Sequence, residues 1–289
     1  MRYKVGRTFS LGSSSLGNSF YMEIFRKDYP NPFRLLIECG FTYSEVSRRL
    51  LDKSISVSDL DAVLVTHEHF DHSQAVRELI KRGVQVYAPK TVFEKHEFKD
   101  NEIKKEWVIT EMVGKIIADG IKVYGFPLEH ENDDGTLTYN LGYIINVDND
   151  FNILFVTDTK RIRWNLSKKQ FNVIFIEANY QRKTLYFALK NAKEKRDRPM
   201  EIHYNRVLKS HFCVENTADT LSTFDLRKTD IIYLIHMSAN TQINPFEFKK
   251  IIYDKIRHKM RKETFLKHGK SQTVSKPKII AVKKNGEMI

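Results

Sequence analysis

The stretch Thr66-His67-Glu68-His69-Phe70-Asp71-His72 places three histidines and one aspartate within six residues, His67 to His72. It follows the largely apolar run 61–66, which predicts a buried strand that ends at Thr66. Because alternate side chains of an extended backbone share a side, we expect His67, His69 and Asp71 to converge. His72 should point elsewhere, toward a second metal ion. Imidazole and carboxylate together favour zinc, iron or manganese over calcium or magnesium.

Composition supports a large folded core. The chain has 289 residues, 41% of them hydrophobic and 12% aromatic. No apolar stretch approaches the length of a membrane span, and residues 1–5 lack an apolar signal region, so we expect no membrane partner. The two cysteines, Cys39 and Cys213, have no metal-type spacing. Reduced thiols in a cytoplasmic protein are the simplest expectation.

The positive charge is concentrated near the end of the chain. The formal net charge is +12, and residues 254–289 hold 11 Lys and Arg against 3 Asp and Glu. A basic segment can recruit a phosphate backbone, or it can be a solvated terminus, and both interpretations stay open. We predict one domain at 1–262 and a basic, flexible tail at 263–289.

Short apolar runs alternate with helical patterns along the chain. A strand pair is predicted at 20–25 and 33–38, and a helix capped by Thr42 or Ser44 at 42–53. Further strands are predicted at 84–88, 121–126, 142–147, 152–157, 173–177 and 231–235. Further helices are predicted at 73–82, 181–198 and 245–260. This pattern predicts an α/β domain with two sheets and outer helices.

Three further strand ends carry residues that bind metals. His130 follows the strand that we expect to end near 126–127, Asp158 follows the strand at 152–157, and His236 follows the strand at 231–235. A single histidine at such a place is more often an ordinary buried residue. The repetition of the pattern favours ligands for two metals.

The motif Thr-His-x-His-x-Asp-His, with the later His130, Thr157-Asp158-Thr159 and His236, resembles the metallo-β-lactamase superfamily. The stretches 9–19, 36–40 and 64–69 are similar to its YycJ/WalJ-type branch, which is related to tRNase Z and other phosphodiesterases. The resemblance covers about residues 9 to 252. It implies an αββα sandwich, with two mixed sheets packed face to face and helices outside. Glu38 occupies the position where the superfamily usually has Asp.

The resemblance also implies a ligand set for two divalent ions, zinc in the first place and manganese as the alternative. The first ion would be bound by His67, His69 and His130, and the second by Asp71, His72 and His236. Asp158 would bridge the two ions. The implied catalytic residues are Asp71, His211 and Glu177. His211 would act as general acid on the leaving oxygen, oriented by Glu177.

The implied activity is hydrolysis of phosphodiester bonds, most directly by a nucleic-acid exonuclease. An alternative is a cyclic-nucleotide phosphodiesterase of the phage anti-Pycsar type. Tyr139, Tyr143 or Tyr180 could then stack a base, although packing in the core or on the surface is the more common role of such tyrosines. A third is a non-catalytic nucleic-acid-binding protein, which the complete ligand set disfavours. The expected partner is therefore a nucleic acid or nucleotide, and the resemblance allows a homodimer.

Overall fold

The computed structural model describes residues 4–132, 135–167, 169–238, 244–267 and 270–289, and it describes no side chains at 263–275. The strands are β1 (Val5–Ser14), β2 (Gly17–Ile24), β3 (Phe33–Ile37), β4 (Ala62–Leu64), β5 (Val86–Tyr87), β6 (Gly114–Ala118), β7 (Ile121–Glu131), β8 (Leu137–Val147), β9 (Phe151–Val156), β10 (Val173–Glu177), β11 (Ile231–Ile235), β12 (Arg261–Lys267), β13 (Lys270–Lys276) and β14 (Lys278–Ala281). The helices are α1 (Tyr43–Leu51), α2 (Phe70–Ser73), α3 (Val76–Lys81), α4 (Lys90–Lys95), α5 (Arg182–Glu194), α6 (Arg198–Ser210), α7 (Val214–Thr223) and α8 (Pro245–Ile256).

Two mixed sheets form the centre of the fold. One has the order β1-β2-β3-β4-β5, and the other has the order β14-β11-β10-β9-β8-β7-β6. The ring of Phe20 in the first sheet lies 5.6 Å from that of Phe155 and 5.9 Å from that of Phe175 in the second. The sheets therefore pack face to face over a shared apolar core.

Strand β10 of the second sheet is buried on both of its faces. In β10, Val173 and Phe175 belong to the core between the sheets, whereas Ile174 and Ile176 belong to an outer core with helices α7 and α8. A side chain of this size contributes about 1.5–3 kcal/mol when it is fully buried. Helices α1 and α3 bury apolar residues against the first sheet. The αββα architecture expected from the sequence is confirmed.

Parallel strands bring several strand ends to one edge. Strands β9, β10 and β11 are parallel neighbours, with Val156 opposite Ile176 and Glu177 opposite Ile235. In the other sheet β3 and β4 are parallel, with Ile37 opposite Leu64. The polar residues that follow these strands therefore start from neighbouring positions in each sheet.

The end of the chain differs from the expected flexible tail. Strand β14 pairs in parallel with β11 at the edge of the seven-stranded sheet, and Ala281 and Val282 are fully buried. The domain thus extends beyond residue 262. The high charge of the segment concealed the short apolar run Ile279-Ile280-Ala281-Val282, whose burial determines its position.

The predicted helix at 181–198 is two helices. Helix α5 ends at Glu194, and α6 begins at Arg198, where Pro199 occupies its first turn. The side chain of Asp197 caps α6 by accepting from the backbone N–H of Met200. Proline and a capping aspartate together are a helix-start signal that the basic composition obscured. In the described part of the chain, no helix has both the length and the apolarity needed to cross a bilayer.

Candidate metal centre

The histidine-rich loop changes conformation in its middle. His69 has extended backbone angles and is the N-cap of α2, so the chain is helical from Phe70 onward. Alternation of side chains therefore ends at His69, and the expected convergence of Asp71 with His67 and His69 is wrong. Asp71 instead lies with its neighbour His72, since successive helical residues differ by only about 100° in direction.

The end of β3 holds α2 in place. The backbone N–H of Cys39 donates to the carbonyl of His72 over 2.8 Å, and the N–H of Ala75 donates to the carbonyl of Cys39 over 3.0 Å. A Cβ at Gly40 would lie 1.7 Å from the carbonyl oxygen of Asp71. Only glycine allows this backbone approach, which fixes the distance between the first sheet and the loop.

One group of donors contains His67, His69, His130 and Asp158, whose ligand-type atoms all lie within 4.8 Å of one another. His130 lies inside β7, opposite Thr138, rather than after the strand as expected. The apolar run ends near Phe126, but the ladder with β8 continues to Glu131. The backbone pairing of a hairpin can outlast its apolar pattern.

A second group contains Asp71, His72, Asp158 and His236, again within 4.8 Å. The Oδ1 atom of Asp158 lies 3.4 Å from Nε2 of His72 and 3.2 Å from Nε2 of His236. Its Oδ2 atom lies 3.9 Å from Nε2 of His130, in the first group. The two oxygens of Asp158 thus face different groups, as a carboxylate between two cations would.

Three of these strand-end residues have left-handed backbone. The φ angles are +65° at Glu38, +48° at Asp158 and +56° at His236. Such angles are uncommon for residues other than glycine and cost on the order of 1 kcal/mol or more. Each residue comes directly or almost directly after a strand, so the unusual angle turns its side chain out of the sheet direction and toward the site.

Neighbouring polar groups orient the histidine rings. The hydroxyl of Thr66 lies 2.9 Å from Nδ1 of His67, and Oδ1 of Asn132 lies 2.8 Å from Nε2 of His69. Nδ2 of Asn179 lies 3.0 Å from Nδ1 of His236. Sequence reasoning missed both asparagines, because asparagine is common in loops and nothing in their spacing marks them. Such partners fix which nitrogen faces a metal.

Two ring nitrogens that face the site are not satisfied by hydrogen bonds from the described residues. Nε2 of His67 and Nε2 of His236 are buried and find no hydrogen-bond partner among the described residues. Buried polar atoms are nearly always satisfied, so these imidazole nitrogens beside carboxylates are compatible with the binding of a cation. The donor set of imidazole and carboxylate fits a divalent transition metal.

The pKa shifts of three residues in the first group agree with this interpretation. Burial, reinforced by the neighbouring histidines, lowers the pKa of His67 well below its ordinary value. Burial also lowers the pKa of His130, to about 4. Burial alone would raise the pKa of Asp158, but His236 and His72 hold it well below the usual range. In the first group, His67 and His130 therefore offer neutral imidazoles and Asp158 an ionised carboxylate, the forms that bind metals.

A third pair lies at the edge of the two groups. Nδ1 of His211, the residue that ends α6, lies 2.6 Å from Oε1 of Glu177 at the end of β10. Glu177 is fully buried, which would raise its pKa, but the contacts with His211 and His236 keep the pKa low. Glu177 also accepts from the backbone N–H of Thr159 over 2.9 Å. An ionised, fixed carboxylate thus orients a histidine that lines the cavity.

The donors lie at the base of a cavity of about 760 Å³. None of the three tyrosines expected to stack a base lines it. Tyr143 is fully buried and donates its hydroxyl proton to the carbonyl of Val65, and Tyr180 is also buried. The aromatic side chain that does line the cavity is Phe70, inside the histidine-rich loop. Periodicity could not reveal this, since the exposure of Phe70 depends on the helix that begins there.

The sequence matches the Beta-lactamase superfamily domain over residues 33–237. Exodeoxyribonuclease WalJ of Streptococcus pneumoniae (serotype 2, strain D39) is 37% identical over 87 residues, and the match spans 29% of this chain and only 30% of that relative. Exodeoxyribonuclease YycJ of Bacillus anthracis is 24% identical over 246 residues, which are 83% of this chain and 85% of that protein.

Solved structures share the fold at low sequence identity. Igni18, a metallo hydrolase from the archaeon Ignicoccus hospitalis, superposes with a TM-score of 0.57 at 14% identity and covers 92% of this chain and 97% of its own. The short form of human tRNase Z has a TM-score of 0.52 at 13% identity, with coverage of 80% and 92%. This chain therefore shares its fold with a metallo hydrolase and with tRNase Z. The expected relation to tRNase Z is confirmed at the level of the fold.

Proposed function

This chain belongs to the beta-lactamase superfamily, and on that premise we propose that it is a metal-dependent phosphodiesterase that degrades nucleic acid from an end. The observation that carries the proposal is the shared Asp158, whose two oxygens face two separate groups of histidines. The exonuclease names of the two bacterial relatives support the same reaction class.

Two divalent ions fit the two groups, zinc in the first place and manganese as the alternative. His67, His69 and His130 would hold one ion, and Asp71, His72 and His236 the other, with Asp158 between them. When bound, such ions neutralise charge that develops on phosphate oxygens and lower the pKa of a water. The chain supplies the fixed donors, and Glu38, Asn132 and Asn179 hold the rings in position.

The leaving oxygen of a phosphodiester needs a proton, and His211 is placed to give one. Its ring is held by the buried carboxylate of Glu177 at 2.6 Å, which fixes its orientation. General acid catalysis of this kind contributes typically a hundredfold to ten-thousandfold. Glu177 acts through His211, so its role is to position the acid rather than to touch the substrate.

A nucleic-acid substrate accords with the net charge of +12. Polyanions are attracted to a basic protein, and phosphate contacts provide most of the non-specific affinity. The two cysteines are free and buried, which fits a reducing cytoplasm. We keep the homodimer as a prediction that light scattering on the purified protein would test.

The test is degradation of end-labelled oligonucleotides. The protein is stripped of metal with a chelator, reloaded with zinc or manganese, and incubated with single-stranded and duplex DNA and RNA labelled at either end. We expect time-dependent shortening from one end, and no activity in the Asp158→Asn variant. The same preparations are given 3′,5′-cyclic mononucleotides.

The outcomes separate the candidate functions. Shortening of a polymer supports the proposal. Opening of cyclic mononucleotides with intact polymers would replace it by the cyclic-nucleotide phosphodiesterase. Binding of metal and polymer without any hydrolysis would point to a nucleic-acid-binding protein instead.

A further inference from the structure

The cavity above the candidate metal centre continues into a groove. A second cavity of about 320 Å³ adjoins it, and the two share four lining residues, Glu131, Asn132, Arg206 and Ser210. The second cavity also touches Ile202 and Lys209. The combined groove therefore runs from the metal donors along α6, between that helix and Glu131, Asn132 and Gly135. A single mononucleotide does not need this length.

One wall of the groove carries an exposed aromatic ring. Phe70 lies between His69 and Asp71 in the chain, and 54% of its surface is exposed. Every other described residue that lines the first cavity is polar or charged. Isolated exposed apolar residues are ordinary on protein surfaces, but an aromatic ring inside a polar cavity beside the reacting centre is a platform for a planar ligand.

The ring of Phe70 is supported from behind. It meets the imidazole of His96 edge to face, with 5.7 Å between the ring centroids, and the Nζ atom of Lys95 lies 5.4 Å from its centre. Nε2 of His96 lies 3.0 Å from the hydroxyl of Ser73 in the same short helix. The ring is thus held in place by His96, and the ammonium group of Lys95 lies over one of its faces.

The opposite wall carries cations. Arg206 and Lys209 are exposed, three residues apart on α6, and therefore on the same face of that helix. Arg206 lines both cavities and Lys209 lines the second. Outside the metal donors, the described lining has three cations, these two and Lys95, against the two carboxylates of Glu68 and Glu131. The excess of one positive charge lies in the second cavity, where Arg206 and Lys209 accompany Glu131.

We propose that this groove binds a single-stranded polynucleotide, with one base stacked on Phe70 and successive backbone phosphates on Arg206 and Lys209. Stacking on an aromatic ring requires a base that is free of its duplex partner, so the geometry selects single strands. The inference rests on the proposed phosphodiesterase activity and extends it to a substrate class. It also gives the polymer a path away from the reacting centre.

The experiment compares two substrates on the metal-loaded protein. One is a fluorescent single-stranded oligonucleotide, and the other is bis(4-nitrophenyl) phosphate, a small diester without a nucleobase. For each variant the ratio of kcat/KM on the oligonucleotide to kcat/KM on the small diester is measured. Loss of one stacked base typically weakens binding by on the order of ten- to a hundredfold. We expect Phe70→Ala to lower the ratio by that factor and Phe70→Trp to keep it.

Salt dependence tests the cationic wall. The combined variant R206A/K209A should make the dependence of oligonucleotide affinity on salt shallower, by about 0.7 in logarithmic slope for each lost phosphate contact. Tyr29→Ala is the matched aromatic control, because Tyr29 is exposed beneath Arg26 in the turn at the far end of β2. Lys228→Ala is the matched charge control, because Lys228 lies near the amino end of β11, whereas His236 follows the carboxyl end of that strand. Both controls should keep the wild-type ratio and slope.

The proposed binding of a single strand in the groove would be contradicted if Phe70→Ala left the ratio of the two kcat/KM values unchanged. Equal losses of that ratio in Phe70→Ala and Tyr29→Ala would contradict it as well. Metal content of each variant, measured by mass spectrometry, shows whether the loop still binds its ions. If the wild type hydrolyses neither substrate, the proposed phosphodiesterase itself is wrong. If the wild type hydrolyses the small diester and the groove variants bind the oligonucleotide normally, only the proposal that the groove binds the polynucleotide is wrong.

Discussion

The backbone N–H of His236 donates to the hydroxyl oxygen of Ser13 over 2.7 Å, and both residues are buried. This contact joins the first strand of one sheet to the end of β11 in the other. The N–H of Ser13 in turn donates to the carbonyl of Lys284 over 3.2 Å. A candidate ligand with a left-handed backbone is therefore held by the first strand, which is itself held by the last segment of the chain.

Ser13→Ala should loosen His236. The change leaves a buried backbone N–H without a partner, which costs about 1–3 kcal/mol of unfolding free energy. Urea unfolding measures that loss, and competition with a chelator should show weaker metal binding. Ser10→Ala is the control, since Ser10 lies in the same strand and bonds only Gly12 and Ser19 nearby. Equal metal affinity in the two variants would contradict a role of Ser13 in holding His236.

Gly40→Ala should be severely destabilising. The new Cβ would lie 1.7 Å from the carbonyl oxygen of Asp71, so the loop must move as a unit. We expect a loss of more than about 3 kcal/mol of unfolding free energy, and weaker metal binding in whatever protein folds. Gly83→Ala is the matched control. Its φ is +82° but nothing lies within 4 Å of the added carbon, so about 1 kcal/mol is expected there. Similar losses for both variants would mean that the contact with Asp71 has no effect.

Glu177→Gln should slow turnover while metal remains bound. Glutamine has the same shape but no charge, so His211 loses the carboxylate that orients its ring. We expect kcat to fall by about ten- to a hundredfold with little change in KM. Because the two residues act as one unit, adding Glu177→Gln to His211→Ala should cost little more. Strictly multiplicative losses in the double variant would argue against the pairing.

Glu38→Gln tests the acidic residue beneath the second group of donors. Glu38 is fully buried, its Oε1 lies 3.5 Å from Nδ1 of His72, and its Oε2 accepts from the N–H of Thr66 over 3.3 Å. Burial raises the pKa of this carboxyl. Removal of its charge should weaken one of two metal-binding steps by about ten- to a hundredfold, as read by calorimetry. Glu23→Gln, a buried glutamate near the far end of β2, should leave both steps intact.

His96 should make stability depend on pH. Burial lowers its pKa in the folded protein, whereas the unfolded chain has a value near 6.5. Above pH 6.5 the folded protein therefore keeps the full contribution. As the pH falls below 6.5 the unfolded state binds more protons, and stability declines by at most about 1.4 kcal/mol per pH unit until the folded pKa is passed. His96→Gln removes this term, so the stability difference between wild type and variant, from urea unfolding, should shrink between pH 7.5 and 5.5. A constant difference would contradict the shift.

The residue types of the site could be predicted from the local sequence pattern, whereas their grouping was implied only by the family resemblance. The ligand-type residues at 67–72, 130, 158 and 236 stood out because each follows or interrupts an apolar run. The rule of alternation grouped Asp71 with His67 and His69, whereas the resemblance grouped it with His72 and His236, as the geometry does. Alternation failed because α2 starts at Phe70, in a position that depends on contacts from Cys39 and Gly40. His130 was expected after a strand and lies within one, because β8 extends the pairing.

The sequence by itself determined two sheets with outer helices, since apolar periodicity is a local property of the chain. It also supplied the candidate ligand residues, and the family resemblance added His211 and Glu177 as the candidate acid and its partner. Only the tertiary structure decided which oxygens of Asp158 face which histidines, which asparagines orient the rings, and that Phe70 projects into the cavity. It also decided that residues 278–281 form an edge strand of the seven-stranded sheet. These features depend on contacts between residues far apart in the chain, and on left-handed backbone angles at three strand ends, which no local pattern encodes.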